Sequence, residues 1–245
     1  MKSTAIVFSG LNGLDIEVER RAVARIPEVS IKIKEAQNLI DKIPHQDHHE
    51  DLDLMSYMNS SNEVFLKNIK VKSLLASIVQ LGLYERYRKN NPEPAFIVGN
   101  SSGDSALNVV TGRRSFKEMV LESQVVMDLM PADSLETVAG LGQNVVLSGI
   151  TLTEYDFAVL DESGVYKRVL EKYMNFNELF DEMVEEYEVR RFVNIGPSNT
   201  LINESMKNDS FIDLELADVI EMDPLLGWYS SEINSSDNLM SASTH

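Results

Sequence analysis

The chain has 245 residues, 43% of them hydrophobic, enough to bury one sizeable core with a small appendage and too apolar for a wholly disordered polymer. Its 39 Asp and Glu outnumber 22 Lys and Arg, and the net charge of -17 repels nucleic-acid phosphates and anionic membranes, so neither is expected as a partner. Cysteine is absent, which excludes disulfides, thiolate metal sites and a cysteine nucleophile.

Short apolar runs alternate with helical periods. Strands are expected at Thr4–Phe8, Ala95–Val98, Asn144–Leu147, Phe157–Leu160, Phe192–Ile195 and Ala217–Ile220. These runs are rich in Val, Ile and Phe and do not alternate with polar residues, as suits strands covered on both faces. Val71, Leu74, Leu75, Ile78 and Leu81 follow the spacing of a helix stripe. Phe180, Met183, Val184 and Tyr187 form a second, with Asn177 as its N-cap. Ser115 caps a third, running through Phe116, Met119 and Val120 towards Met130. The alternation predicts an α/β fold with a mostly parallel sheet and helices on both faces. Residues 1–229 read as one domain, and the polar Ser/Asn-rich stretch 230–245 as a flexible tail. No run reaches the length of a membrane span, and Ala5 to Phe8 is too short for a signal-peptide core, so a cytoplasmic location is expected.

One motif carries chemistry. Gly99-Asn100-Ser101-Ser102-Gly103 follows the strand Ala95–Val98 and precedes a helical stretch, Asp104 to Val110. G-x-S-x-G between strand and helix is the nucleophile-elbow pattern. Small residues permit the sharp bend, and the middle serine is presented beside the free N–H groups of a helix start. Ser101 is therefore the candidate nucleophile; the same pentapeptide also suits an ordinary tight βα turn.

Several segments, in order, now carry a resemblance. Ala5-Ile-Val-Phe-Ser-Gly-Leu-Asn-Gly is similar to a first strand followed by a Phe-Pro-Gly-Gln-Gly-Ser-Gln loop. Leu74 to Tyr84 is similar to the helix before the elbow strand, and the block from Pro94 to Leu107 to a Gly-His-Ser-Leu-Gly-Glu elbow. Gly112 stands where a glycine precedes the next helix, and Val193-Asn-Ile-Gly-Pro-Ser-Asn-Thr-Leu is similar to a Glu-Ile-Gly-Pro-Gly-x-x-Leu loop. Together they resemble the malonyl-CoA:acyl carrier protein transacylases and the acyltransferase domains of polyketide synthases. The resemblance implies a hydrolase-like sheet and acyl transfer from a CoA thioester to a carrier protein, in fatty-acid or polyketide synthesis. It also implies Ser101 as nucleophile, with the Ser102 and Leu11 amides as the oxyanion hole. No metal and no bound cofactor are implied; CoA or a phosphopantetheine thioester is the substrate.

The departures fall on the chemistry. The family pairs its serine with a histidine located between a small inserted subdomain and the Gly-Pro loop, yet Pro131 to Arg191 contains no histidine and is too short for the whole insertion. The small ferredoxin-like subdomain is therefore expected to be reduced or absent. The family histidine before the nucleophile is Asn100, and its first-loop glutamine aligns with Leu11. The glutamine opening the pre-elbow helix aligns with Lys72 or Ser73, and the arginine for the malonyl carboxylate with Val126. An apolar side chain cannot replace a bidentate guanidinium. Losing a triad member lowers turnover by roughly 10⁴ to 10⁶ in a serine hydrolase. A second reading is thus a catalytically inactive homologue that binds a carrier protein or a synthase subunit.

His45, His48 and His49, with Asp47, Glu50, Asp51 and Asp53, have helical metal-ligand spacing, but Pro44 and the polarity read as a solvated loop, and no metal is assigned. A histidine from this loop over Ser101 would give a third reading, a serine esterase. Arg113, Arg114 and Lys117 follow the elbow helix and form the expected docking patch for an acidic carrier. Arg86, Arg88 and Lys89 suit the end of the preceding helix.

Overall fold

The computed structural model describes residues 3–8, 14, 17–43, 52–62, 66–100, 102–130, 155–168, 176–196, 214–229 and 231, with the backbone alone at 100, 102–104, 155–157, 168 and 176–178. In chain order the elements are β1 (Ser3–Phe8), α1 (Glu17–Val23), α2 (Pro27–Ile40), α3 (Leu54–Asn59) and α4 (Ile69–Asn90). Then follow β2 (Phe96–Asn100), α5 (Ser102–Val110), α6 (Phe116–Leu121), α7 (Gln124–Met127), β3 (Tyr155–Leu160) and β4 (Tyr166–Arg168). The chain closes with α8 (Phe176–Glu185), β5 (Val189–Ile195), β6 (Glu215–Asp218) and a 3-10 turn at Pro224–Leu226.

The strands form one six-stranded sheet in the order β4-β3-β2-β1-β5-β6. The central pairs, β2 with β1, β1 with β5 and β5 with β6, are parallel. Alternate residues of β1 part company, as the two-residue period of a strand requires. Ala5 and Val7 join Phe96, Val98, Val189 and Phe192 on one face, packed against Leu179, Phe180, Met183 and Val184 of α8. Ile6 and Phe8 join Ile97, Ala158, Val193 and Ile195 on the other, packed against Leu75, Ile78 and Val79 of α4 and Ala106 and Leu107 of α5. Burying such side chains contributes about 1.5–3 kcal/mol each, so neither face can be left to water. The α/β class, the mostly parallel sheet and the helices on both faces are as expected.

Helix α4 is the pillar of the second face. Asn68 caps it, its Oδ1 accepting from the amides of Lys70 and Val71 at 3.2 and 3.3 Å. From Leu74 to Tyr84 every side chain is buried, because α2, α5 and β5 all pack on it. Gly82 faces α2 so closely that a Cβ there would lie 2.6 Å from Val29 Cα. The cations at the end of α4 do more than offset the helix dipole. Arg86 donates to Glu28 at 2.9 Å and to Asp223 at 2.5 Å, and Lys89 donates to Glu28 at 2.7 Å. Arg86 thereby ties α2 and the 3-10 turn to α4. Burial pushes the Glu28 carboxyl up, but the hydrogen bonds from Lys89 and Arg86 outweigh it and hold the group below its ordinary value. Arg88 remains a helix-end cation, donating to Asn91 O at 2.8 Å.

Several expectations need correction. Asn177 is the second residue of α8 and not its N-cap, since the helix begins at Phe176. The helix from Ser115 is broken at Glu122 and Ser123 into α6 and α7; the Ser123 hydroxyl bonds back to Val120 O at 2.7 Å, which suits a turn more than helix propagation. The last strand ends at Asp218, where Asp218 Oδ1 accepts from Ile220 N and turns the chain. β3 pairs antiparallel with β2 and forms an antiparallel hairpin with β4, which the apolar runs did not reveal. Helices α1, α2 and α3 were also not foreseen. Of the loop expected from Pro44 to Asp53, Leu52 is buried and Asp53 caps α3, its Oδ1 accepting from Ser56 N at 2.9 Å; residues 44–51, the expected strand Asn144–Leu147 and the tail from Ser230 apart from Ser231 lie outside the described residues. So do residues 131–154, on which the reduced subdomain would fall. Among the described residues no helix is long and apolar enough to cross a membrane.

Candidate active site

β1, β2 and β5 run in the same direction and end together. Phe8 is in register with both Gly99 and Ile195, so the C-terminal ends of all three strands lie on one edge of the sheet. The strands end there at Phe8, Asn100 and Ile195, next in sequence to three of the five segments that carry the resemblance. Open parallel sheets place ligands at this edge because the strands' following loops converge there.

The elbow is built by two elements with one residue between them. β2 ends at Asn100 and α5 begins at Ser102. α5 packs against β2, β1 and β3. The Ser102 amide belongs to the first turn of a nine-residue helix, where N–H groups have no intrahelical acceptor. Ser101 and Leu11 themselves lie outside the described residues.

The far end of α5 is specified by its sequence. Gly112 has φ +71°, the left-handed region that favours glycine. Arg113 N donates to Asn108 O at 2.9 Å and Gly112 N to Val109 O at 3.1 Å, the paired bonds of a Schellman stop. Ser115 then opens α6 with a capping box, its Oγ accepting from Glu118 N while Glu118 Oε2 accepts from Ser115 N. Of the three expected docking cations, Arg113 and Lys117 are exposed. Arg114 is half-buried and paired with Glu122. Burial pushes the Arg114 guanidinium down from its ordinary value, and the Glu118 charge opposes this. Val126, aligned with the carboxylate-binding arginine, is fully buried in α7.

No protein-family model and no curated protein matches the chain. Solved structures do match. A malonyl CoA-acyl carrier protein transacylase from Clostridium perfringens superposes with TM-score 0.53 at 11% identity, covering 98% of this chain and 99% of that one. FabD from Acinetobacter baumannii gives 0.55 at 13%, covering 89% and 94%. The acyltransferase domain from the second module of the salinomycin polyketide synthase gives 0.56 at 14%, covering 89% of this chain and 69% of that one. The chain has the transacylase fold.

Within this transacylase fold, sequence reasoning missed two buried polar groups, the first of them near the end of β5. Asn194, one residue before the end of β5, donates from Nδ2 to Asp218 Oδ2 at 2.8 Å, and the two are in register across β5 and β6. Burial raises the Asp218 carboxyl above its ordinary value, with Glu221 adding to the rise and the bonds from Asn194 and the Ile220 amide opposing it. β6 stands three strand spacings from β2, roughly 14 Å at about 4.8 Å each, so Asp218 lies well away from the strand that precedes Ser101. The second group is Arg20, fully buried in α1. Nothing in the local pattern marked either; an arginine beside a second arginine on a short helix reads as a surface charge. His45, His48, His49 and His245 lie outside the described residues. Among the described residues there is no cluster of three metal-ligating side chains.

Proposed function

We propose that the chain is an acyltransferase that takes an acyl group from acyl-CoA onto Ser101 and passes it to the phosphopantetheine thiol of an acyl carrier protein, in cytoplasmic fatty-acid or polyketide synthesis. The reading is carried by one observation: a parallel strand and a helix folded back over it, separated by Ser101 alone, in a transacylase fold. Ser101 Oγ attacks the thioester carbonyl, and its proton passes to the departing CoA sulfur. The Ser102 and Leu11 amides hold the oxyanion, the C–S bond breaks, and CoA leaves as the protonated thiol. The carrier thiol then repeats the exchange in reverse. Arg113 and Lys117, exposed beyond α5, suit the acidic surface of a carrier, with Arg114 fixed behind them by Glu122. A matching structure holds a type II polyketide acyl-carrier protein in complex with its malonyl-transacylase, which supports a carrier as partner.

The burial of Val126 bears on the donor. That position offers no cation to a malonyl carboxylate, so the advantage a bidentate guanidinium would give malonyl-CoA is expected to be missing, and acetyl-CoA and malonyl-CoA should acylate within about tenfold of each other. The same burial, with the histidine-free stretch Pro131 to Arg191, favours a second reading: a carrier- or synthase-binding homologue without turnover. Incubation with radiolabelled acetyl- and malonyl-CoA, followed by denaturing gel and peptide mapping, separates them. Covalent label on wild type and none on Ser101→Ala is the expected result. No label from either donor, with or without added carrier protein, refutes acyl transfer and leaves the binding role.

A further inference from the structure

Arg86 stands between two carboxylates that belong to different walls of one cleft. Its Nη1 donates to Glu28 at 2.9 Å and its Nε to Asp223 Oδ2 at 2.5 Å. Glu28 follows Pro27 at the start of α2, so the first bond fixes the entry to α2 against α4. Asp223 also accepts from Leu225 N at 2.9 Å through Oδ1, so the second bond fixes the 3-10 turn that carries Leu225 and Leu226. Nη2, the remaining guanidinium nitrogen, has no acceptor among the described residues.

Between these walls is an open cleft of about 540 Å³, lined by Arg25, Pro27, Arg86, Leu225, Leu226 and Trp228. Small-molecule sites span about 300–1,000 Å³. The lining holds two guanidinium groups and no carboxylate, in a chain whose net charge is -17. A positive cleft in an acidic molecule favours an anion. The rest of the lining is apolar. Leu225 is 75% exposed, the most of any large hydrophobic side chain among the described residues. Trp228 is half-buried, and its ring stands edge-on to that of the buried Tyr229, with centroids 6.0 Å apart at 67°, so the indole is held from behind. An apolar body laid on Leu225 and the indole removes surface from water on both sides of the contact. One guanidinium and one further N–H match a single carboxylate; a phosphate, with more charge and more terminal oxygens, asks for more donors than the lining holds.

We propose that this cleft is a binding site for a small amphiphilic carboxylate. Arg25 and Arg86 Nη2 hold the carboxylate, and Pro27, Leu225, Leu226 and Trp228 cover the apolar body. None of these residues lies in a segment that carries the family resemblance, and the inference stands whether or not Ser101 is acylated.

Trp228 is the chain's one tryptophan, so the indole fluorescence of the full chain reports on the cleft. Titration with sodium octanoate, and in parallel with 1-octanol and inorganic phosphate, tests the two halves of the site separately. Octanoate is expected to shift the emission saturably. Octanol lacks the charge and phosphate the apolar body, and each should bind at least about tenfold more weakly. Arg25→Gln and Leu225→Ser should each weaken octanoate by about tenfold. Both side chains are exposed, so both variants should melt as wild type does by circular dichroism. Calorimetric titration accompanies the fluorescence, so that a silent indole is not mistaken for an empty cleft. Octanoate that binds by neither readout overturns the inference. So does octanol or phosphate binding as tightly as octanoate, or an unchanged affinity in either variant. A dimer in sedimentation velocity that Leu225→Ser dissociates would show that a second copy covers the cleft, and overturns it as well.

Discussion

Gly82→Ala separates helix propensity from packing, and the two predict opposite signs. In an exposed helix, replacing glycine by alanine stabilises by about 1 kcal/mol. Here the new Cβ would lie 2.6 Å from Val29 Cα, 2.8 Å from Val29 N and 2.9 Å from its Cγ2. Two of the three clashing atoms are main chain, so no rotamer change relieves them. Comfortable carbon contact is about 3.5–4.0 Å, so α2 must retreat from α4 by roughly 1 Å. Retreat is opposed nearby, because Glu28 is held to α4 by Arg86 and Lys89. Overpacking of this kind costs about 1–3 kcal/mol, and the clash with backbone places it at the upper end. Set against the propensity gain, a net loss of about 2 kcal/mol is expected, or a fall in Tm of about 4–8 °C for a chain of this length. Urea denaturation followed by circular dichroism would read this as a lowered midpoint with an unchanged slope. A variant as stable as wild type, or more stable, would refute the close packing of α2 on α4.

Two further predictions concern the segments that frame the site. Gly112 has open space around its Cα but φ +71°, so Gly112→Ala should cost about 1–2 kcal/mol and Gly112→Asn less, both measured as urea midpoints; equal stability of all three would contradict the left-handed stop of α5. Asp218 tests the polar pair. Its carboxyl is raised in the folded chain, so the native state holds that proton more tightly than the unfolded state does, and stability falls as pH rises through the native-state value. Asp218→Asn cannot ionise. The stability of wild type relative to this variant should therefore decline as pH rises above the ordinary carboxylate value of about 3.9, and a constant difference would show that burial does not perturb the group.

Much of the framework was legible along the chain. The apolar runs of β1, β2 and β5, the stripe of α4, the Ser115 cap and the G-x-S-x-G spacing are local patterns, set by strand and helix periods and by the needs of helix ends. They sufficed to place Ser101 between a strand and a helix. The register of Phe8 with Gly99 and Ile195, which gathers three distant segments on one edge, is a property of the sheet and of no single segment. The same holds for Arg20, Asn194 with Asp218, Gly82 against Val29, and Arg86 between Glu28 and Asp223. In the sequence nothing local to any of them shows its partner; Arg86 reads only as a cation at a helix end. The role of each depends on which residue the fold brings opposite, and burial makes that choice costly to get wrong: a buried cation or carboxylate is tolerated only where its partners are in place. Local order thus came from the chain itself, while the partners of its buried polar groups were decided only when the helices closed over the sheet.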